Sequence, residues 1–199
     1  FDNSLERLFT LLRIKSISAD PAFAKDCRAA ADHLAKDIAT LGFKTEVRPT
    51  AGHPAVVGKL NGSTDGRPHV LFYGHYDVQP VDPLNLWHRP PFEPVVTDHA
   101  DGRKIIVARG AEDDKGQLMT FVEACRAWKT VAGRLPIGLT VLLEGEEESG
   151  GANLPPFLAE NAEDVDYSRR MFGLTPGDYA ESVGWTGDDV WHAHCVKLS

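Results

Sequence analysis

Three short segments hold residues whose types and spacing suit metal-assisted hydrolysis. In Gly74-His75-Tyr76-Asp77-Val78-Gln79-Pro80, a histidine and an aspartate stand two apart, directly after a strand-like apolar run. Residues i and i+2 of an extended chain point the same way. If one ring nitrogen of His75 binds a cation, Asp77 can therefore accept a hydrogen bond from the other. A local polar turn explains the same pair. In Arg109-Gly110-Ala111-Glu112-Asp113-Asp114-Lys115-Gly116, acids lie between a strand-like run and a helical one. A carboxylate has two oxygens, so Asp113 can bridge cations about 3.5 to 4 Å apart; a charged helix cap explains these acids by the dipole alone.

The third segment, Leu142-Leu143-Glu144-Gly145-Glu146-Glu147-Glu148-Ser149-Gly150-Gly151, runs from an apolar strand into clustered glutamates and then glycines. Close carboxylates raise one another's pKa, so a cluster packed on a core calls for cations or a proton-transfer task. A solvated acidic loop is the other explanation. On the metal reading, Glu148 is a ligand and Glu147 is the general base that takes a proton from water. All three segments follow strands, at the carboxyl ends where open α/β sheets bind ligands. Imidazole with hard oxygen donors suits zinc, with manganese or cobalt as substitutes.

The elements that must position these groups are readable from periodicity. Apolar residues at 5, 8, 9 and 12 form one helical face, with Ser4 as its cap. Ala22 to Leu41 repeats the pattern at 30, 34, 38 and 41, and Gly42 stops it. Phe43 to Arg48, Ala55 to Leu60 and Val70 to Tyr73 read as strands. After a proline-rich stretch from Pro80 to Pro94, Ile105 to Ala108 reads as a strand, Gly116 to Lys129 as a helix and Ile137 to Leu143 as a buried strand. Helices interleaved with short apolar strands predict an α/β sheet covered on both faces. Asn153 to Asp166 predicts a short helix and a connection. Near residue 166 the composition shifts, and polar Tyr167-Ser168-Arg169-Arg170 stands where another buried strand is expected.

The totals bound the alternatives. The 199 residues fit one domain with a short tail. A net charge of −8 disfavours nucleic acid and acidic membrane surfaces as partners. No apolar run approaches the roughly 20 residues that span a bilayer, and the start shows no basic leader with an apolar stretch, which favours a cytoplasmic location. Cys27, Cys125 and Cys195 are distant and form no CxxC, so they read as reduced thiols.

In that order, GHYDVQP, ARGAEDDKG and EGEEESG resemble signature segments of the carnosinase and aminoacylase type zinc metallopeptidases, and WHRPPFEP (87 to 94) is similar to their dipeptidase members. The likeness covers residues 1–166. It implies that His75 ligates one of two zinc ions, Asp113 bridges both, Glu148 ligates the other, Glu147 is the base and Asp77 orients His75. It also implies a cis Asp113–Asp114 peptide, a dipeptide or short peptide substrate and a homodimer formed through a lid domain. The family's further carboxylate, lid and late histidine have no match. The expected fold is thus an incomplete α/β zinc-peptidase-like catalytic domain, a mixed sheet flanked by helices without the lid. Residues 167–199 resemble an internal fragment of cyclic amidohydrolases, and His192 and His194 there read as a packed strand without a ligand role. The expected function is a metal-dependent hydrolase of the dipeptidase type. The alternatives are a truncated or chimeric fragment without turnover and, on the tail alone, a deaminase.

Overall fold

The structure, a computed structural model, describes residues 2–60 and 69–161. The chain divides into two compact units, Phe1–Leu154 and Pro155–Ser199. The first contains helices α1 (Asp2–Leu12), α2 (Ala24–Ala39) and α3 (Lys115–Ala132). Its strands are β1 (Lys44–Arg48), β2 (Ala55–Leu60), β3 (His69–His75), β4 (Val95–Asp98), β5 (Lys104–Val107) and β6 (Gly138–Glu144). Helix α4 (Leu154–Glu160) starts at the division. The expected tail strand, with His192 and His194, lies outside the described residues.

Four strands form a mixed sheet in the order β1-β2-β6-β3, while β4 and β5 make a separate hairpin. β1 with β2 and β2 with β6 are antiparallel, whereas β3 and β6 are parallel. The parallel register sets His75 beside Glu144, so the histidine segment and the glutamate cluster leave the sheet together at one end. β6 is buried along its whole length, which explains its largely apolar run before Glu144.

Leu139, Val141 and Leu143 of β6 join Val56 in one cluster with Leu34 and Ile38 of α2, Leu118 and Val122 of α3, and Leu11 of α1. Phe72 of β3 stacks on Phe121 of α3, centroids 3.7 Å apart. The three long helices share this one core with the sheet, and the mixed sheet flanked by helices is the fold expected. Among the described residues no helix is long and apolar enough to cross a membrane.

Two local expectations change. Ser4 does not cap α1, which already starts at Asp2; its hydroxyl instead donates to Glu123 Oε2 of α3 at 2.7 Å. The second difference is β4, which follows the proline-rich stretch and pairs with β5 across a turn at Gly102, whose φ is +85°. Burial alternates along Val95-Val96-Thr97-Asp98, and the Asp101-Gly102 pair that follows is the hairpin signal in the sequence.

Glu123 also accepts from Arg7 Nε and Nη2, both at 2.6 Å, and from Arg126 at 3.0 Å. The Arg7 hydrogen bond is the main reason its carboxyl falls from 4.5 to about 2; burial opposes the fall, and Ser4 and Arg126 add to it. A depressed folded pKa stabilises above the unfolded value and loses that contribution as pH falls through the folded one. Glu123→Gln is expected to cost about 1 kcal/mol at pH 6, discounted for partial solvent screening. The difference from the parent should shrink between pH 4.5 and about 2 when urea unfolding is followed across that window.

Candidate metal centre

His75 ends β3 and is 2% exposed, and Tyr76, Asp77 and Val78 continue from it wholly buried. Tyr76 N donates to Glu144 O at 2.9 Å and the Tyr76 phenol to Pro54 O at 2.5 Å. Gly145 makes this possible, because a β-carbon there would overlap the Tyr76 ring. Strand end and glutamate loop are thus fixed to each other before any ligand is considered.

The ring of His75 faces acidic groups on both edges. Nδ1 lies 3.2 Å from the carbonyl oxygen of Asp77 and 3.3 Å from its Oδ1. The carbonyl has hydrogen-bond geometry, while Oδ1 is buried with no hydrogen-bond partner. On the other edge Nε2 lies 3.1 Å from Asp113 Oδ1 and 3.8 Å from Glu147 Oε2. Burial works against an imidazolium, but the hydrogen bond and charge of Asp77, with the charges of Asp114 and Glu147, outweigh it and raise His75 to about 9.

Asp113 and Asp114 precede α3 and are joined by a cis peptide, as the resemblance implied. Asp114 Oδ2 does not cap its own helix; it accepts from His75 N at 3.0 Å. Gly74 permits that approach, since a β-carbon there would come within 2.9 Å of the same oxygen. Asp114 thereby clamps the end of β3 to the loop that presents Asp113.

Glu148 is placed differently from Glu147. Its backbone N donates to Asp77 Oδ2 at 3.0 Å, and its Oε2 accepts from Gln79 Nε2 at 2.7 Å. Burial raises the Glu148 carboxyl, the Gln79 hydrogen bond opposes that, and the charge of Asp113 adds to it. Glu144 is also buried and raised, first by desolvation, and accepts from the Tyr73 phenol. The loop carrying Gln79 is held by Arg109, whose Nη2 donates to Pro80 O at 3.0 Å and whose guanidinium lies over Trp87. Sequence reasoning missed Gln79, although it stands in the GHYDVQP segment two residues after Asp77.

Among the described residues, no three His, Cys, Asp or Glu side chains form a closed cation-holding group. The pairwise geometry nevertheless fits a cation. With Nδ1 turned to Asp77 as donor, Nε2 faces Asp113 and Glu147, and a cation held there would take the place of the Nε2 proton. The buried Oδ1 of Asp77 lies beside Nδ1 at 3.3 Å, facing its N–H. Donors of this type, one imidazole and several carboxylates, suit zinc and its first-row substitutes.

The strand ends of this mixed sheet bring an imidazole and carboxylates together, and comparison with known proteins gives the family. Residues 71–186 match the model of peptidase family M20/M25/M40, and the chain belongs to that family. It is 32% identical over 188 residues to a Cys-Gly metallodipeptidase of Candida albicans, covering 87% of this chain and 37% of the relative. It is 34% identical over 115 residues to a human Beta-Ala-His dipeptidase, covering 58% of this chain and 21% of the relative. Among solved structures, an M20 family metallo-carboxypeptidase of Sulfolobus solfataricus superposes with a TM-score of 0.71 at 35% identity. That match covers 83% of this chain and 36% of the other.

The chain thus spans between about a fifth and little more than a third of these relatives' length. The family match runs past residue 166, where the composition shifts, and on to 186. The likeness of residues 167–199 to cyclic amidohydrolases finds no support in these comparisons.

Proposed function

We propose that this chain carries the metal-holding part of a zinc-dependent hydrolase that cleaves dipeptides or related short amides. In this reading His75, Asp113 and Glu148 are ligands, Asp77 orients His75 and Glu147 is the general base. The observation that carries it is the two-sided setting of His75, with Nδ1 toward Asp77 and Nε2 3.1 Å from Asp113. The names of the similar dipeptidases supply the substrate class.

A bound cation supplies Lewis acidity, polarising the scissile carbonyl and making water more acidic. Glu147 takes one proton from the attacking water as its oxygen joins the carbonyl carbon. The same carboxyl then returns that proton to the leaving nitrogen as the C–N bond breaks. A free acid and a free amine result. His75 stays fixed throughout, because its strand end is held by Asp114 and its ring by Asp77. Buried free thiols at Cys27 and Cys125, the former raised to about 12 chiefly by burial, accord with a reducing, cytoplasmic setting.

The test is hydrolysis of Cys-Gly and β-Ala-His by the chain as it stands, followed by amine release, with and without a chelator. Product that disappears on chelation and returns with zinc is expected. A second reading, a metal-holding chain without turnover, is favoured by the chain's span of only 37% of the Candida albicans relative. Zinc bound without product would select it, and absence of both would overturn the metal centre.

A further inference from the structure

The segment between α1 and α2 passes directly behind the candidate centre, and none of the roles proposed so far uses it. It is pinned at several points. Val78 N donates to Ser16 O at 2.9 Å, Ser16 Oγ to Tyr76 O at 2.7 Å, and Ile17 makes a parallel bridge with Val78. His53 Nε2 meets Ser18 O at 3.1 Å. Lys115, wholly buried, donates to Leu11 O and Ile14 O at 3.2 and 2.7 Å. These contacts leave the Ser18 side chain little freedom, and its hydroxyl donates to Asp77 Oδ2 at 2.6 Å.

Asp77 has no exposed surface. Its Oδ2 takes two donors, Ser18 Oγ and Glu148 N, whereas Oδ1 takes none and lies 3.3 Å from His75 Nδ1. Two donors on one oxygen fix the rotation of a carboxylate group. The other oxygen is then aimed by default, and here it is aimed at the imidazole.

We infer that Ser18 is a positioning residue: its hydroxyl locks the Asp77 carboxylate so that Oδ1 is held against His75 Nδ1. The inference rests on the proposed centre, in which Asp77 orients the metal-binding ring. Outer partners of this kind set ring orientation and typically change metal affinity by about 10–100-fold when removed. Ser18 stands at the low end of that range, since it acts through Asp77, where Glu148 N remains as a second donor.

Two measurements on the full chain test this. In metal-free protein labelled with nitrogen-15, the His75 Nδ1–H resonance should shift in Ser18→Ala, as Asp77 Oδ1 turns away while the main-chain carbonyl still holds the proton, and return to the parent position in Ser18→Thr, which keeps the hydroxyl. In a zinc titration, Ser18→Ala should bind about 10-fold more weakly. Ser16→Ala removes a buried hydrogen bond from the same segment without touching Asp77, and should stay within about twofold of the parent. Overturning results are an unchanged Nδ1–H resonance in Ser18→Ala, or equal affinity losses in Ser16→Ala and Ser18→Ala, which would mark mere loosening of the segment. If the parent binds no zinc, the metal reading fails, and the metal-free resonance still decides the role of Ser18.

Discussion

Replacing His75 by alanine is expected to weaken zinc binding by at least about 100-fold, beyond the range typical for outer partners. His75 has Asp77 on one ring edge and Asp113 and Glu147 on the other. Without the ring, Asp113 and Glu147 face each other across an empty volume with no nitrogen donor between them. The three-dimensional frame should persist, because the clamp from Asp114 is made to the backbone N of His75 and survives the substitution. Competition against a chromophoric chelator reads the affinity, and unfolding of the metal-free variant reads the frame. Parent-like affinity in a folded His75→Ala chain would place the cation elsewhere.

The parts of this centre that were legible in the sequence are those that act over short distances along the chain. His75 and Asp77 are two apart, Glu147 and Glu148 adjacent, and each pair follows an apolar strand whose boundaries periodicity gives to within a residue or two. β2 matches its expected limits, Ala55 to Leu60. The apolar run into Glu144 reads as buried because β6 is buried at every position. What remained hidden depends on pairings across the fold. Ser18 and Asp77 are 59 residues apart and Lys115 and Leu11 are 104 apart, separations that no window of periodicity spans. Ser4 shows the same limit, since a serine before an apolar face has the pattern of a cap whether or not a distant glutamate recruits it.

Burial of Lys115 follows the same logic. A lysine after two aspartates carries no mark of burial in the sequence. In the structure the chain turns it inward, where burial lowers its pKa to about 7 against the opposing charge of Asp77. Its two carbonyl partners at the end of α1 lie just ahead of Ser16 and Ser18. The Asp113–Asp114 loop and the segment behind Asp77 are therefore held by one side chain, which links the two halves of the centre independently of any cation.

Glu147→Gln separates holding a cation from using one. Glutamine keeps the size and the carbonyl oxygen of Glu147 but cannot accept a proton from water. If Glu147 is the base, turnover of a dipeptide should fall by about 10²–10⁴-fold, the usual contribution of general acid–base catalysis. Zinc affinity should stay within a few-fold of the parent. Geometry favours this split: Glu147 Oε2 stands 3.8 Å from His75 Nε2, farther than Asp113 Oδ1 at 3.1 Å. Glu148, by contrast, is tied through its backbone to the same Asp77 that faces the ring. Parallel zinc titration and steady-state hydrolysis of the parent and Glu147→Gln check the two quantities. A matching loss in both would make Glu147 a ligand, and the proton acceptor would then have to be sought among the remaining acids of the cluster, of which Glu144 is buried beside Tyr73 and Glu146 is engaged by Asn153.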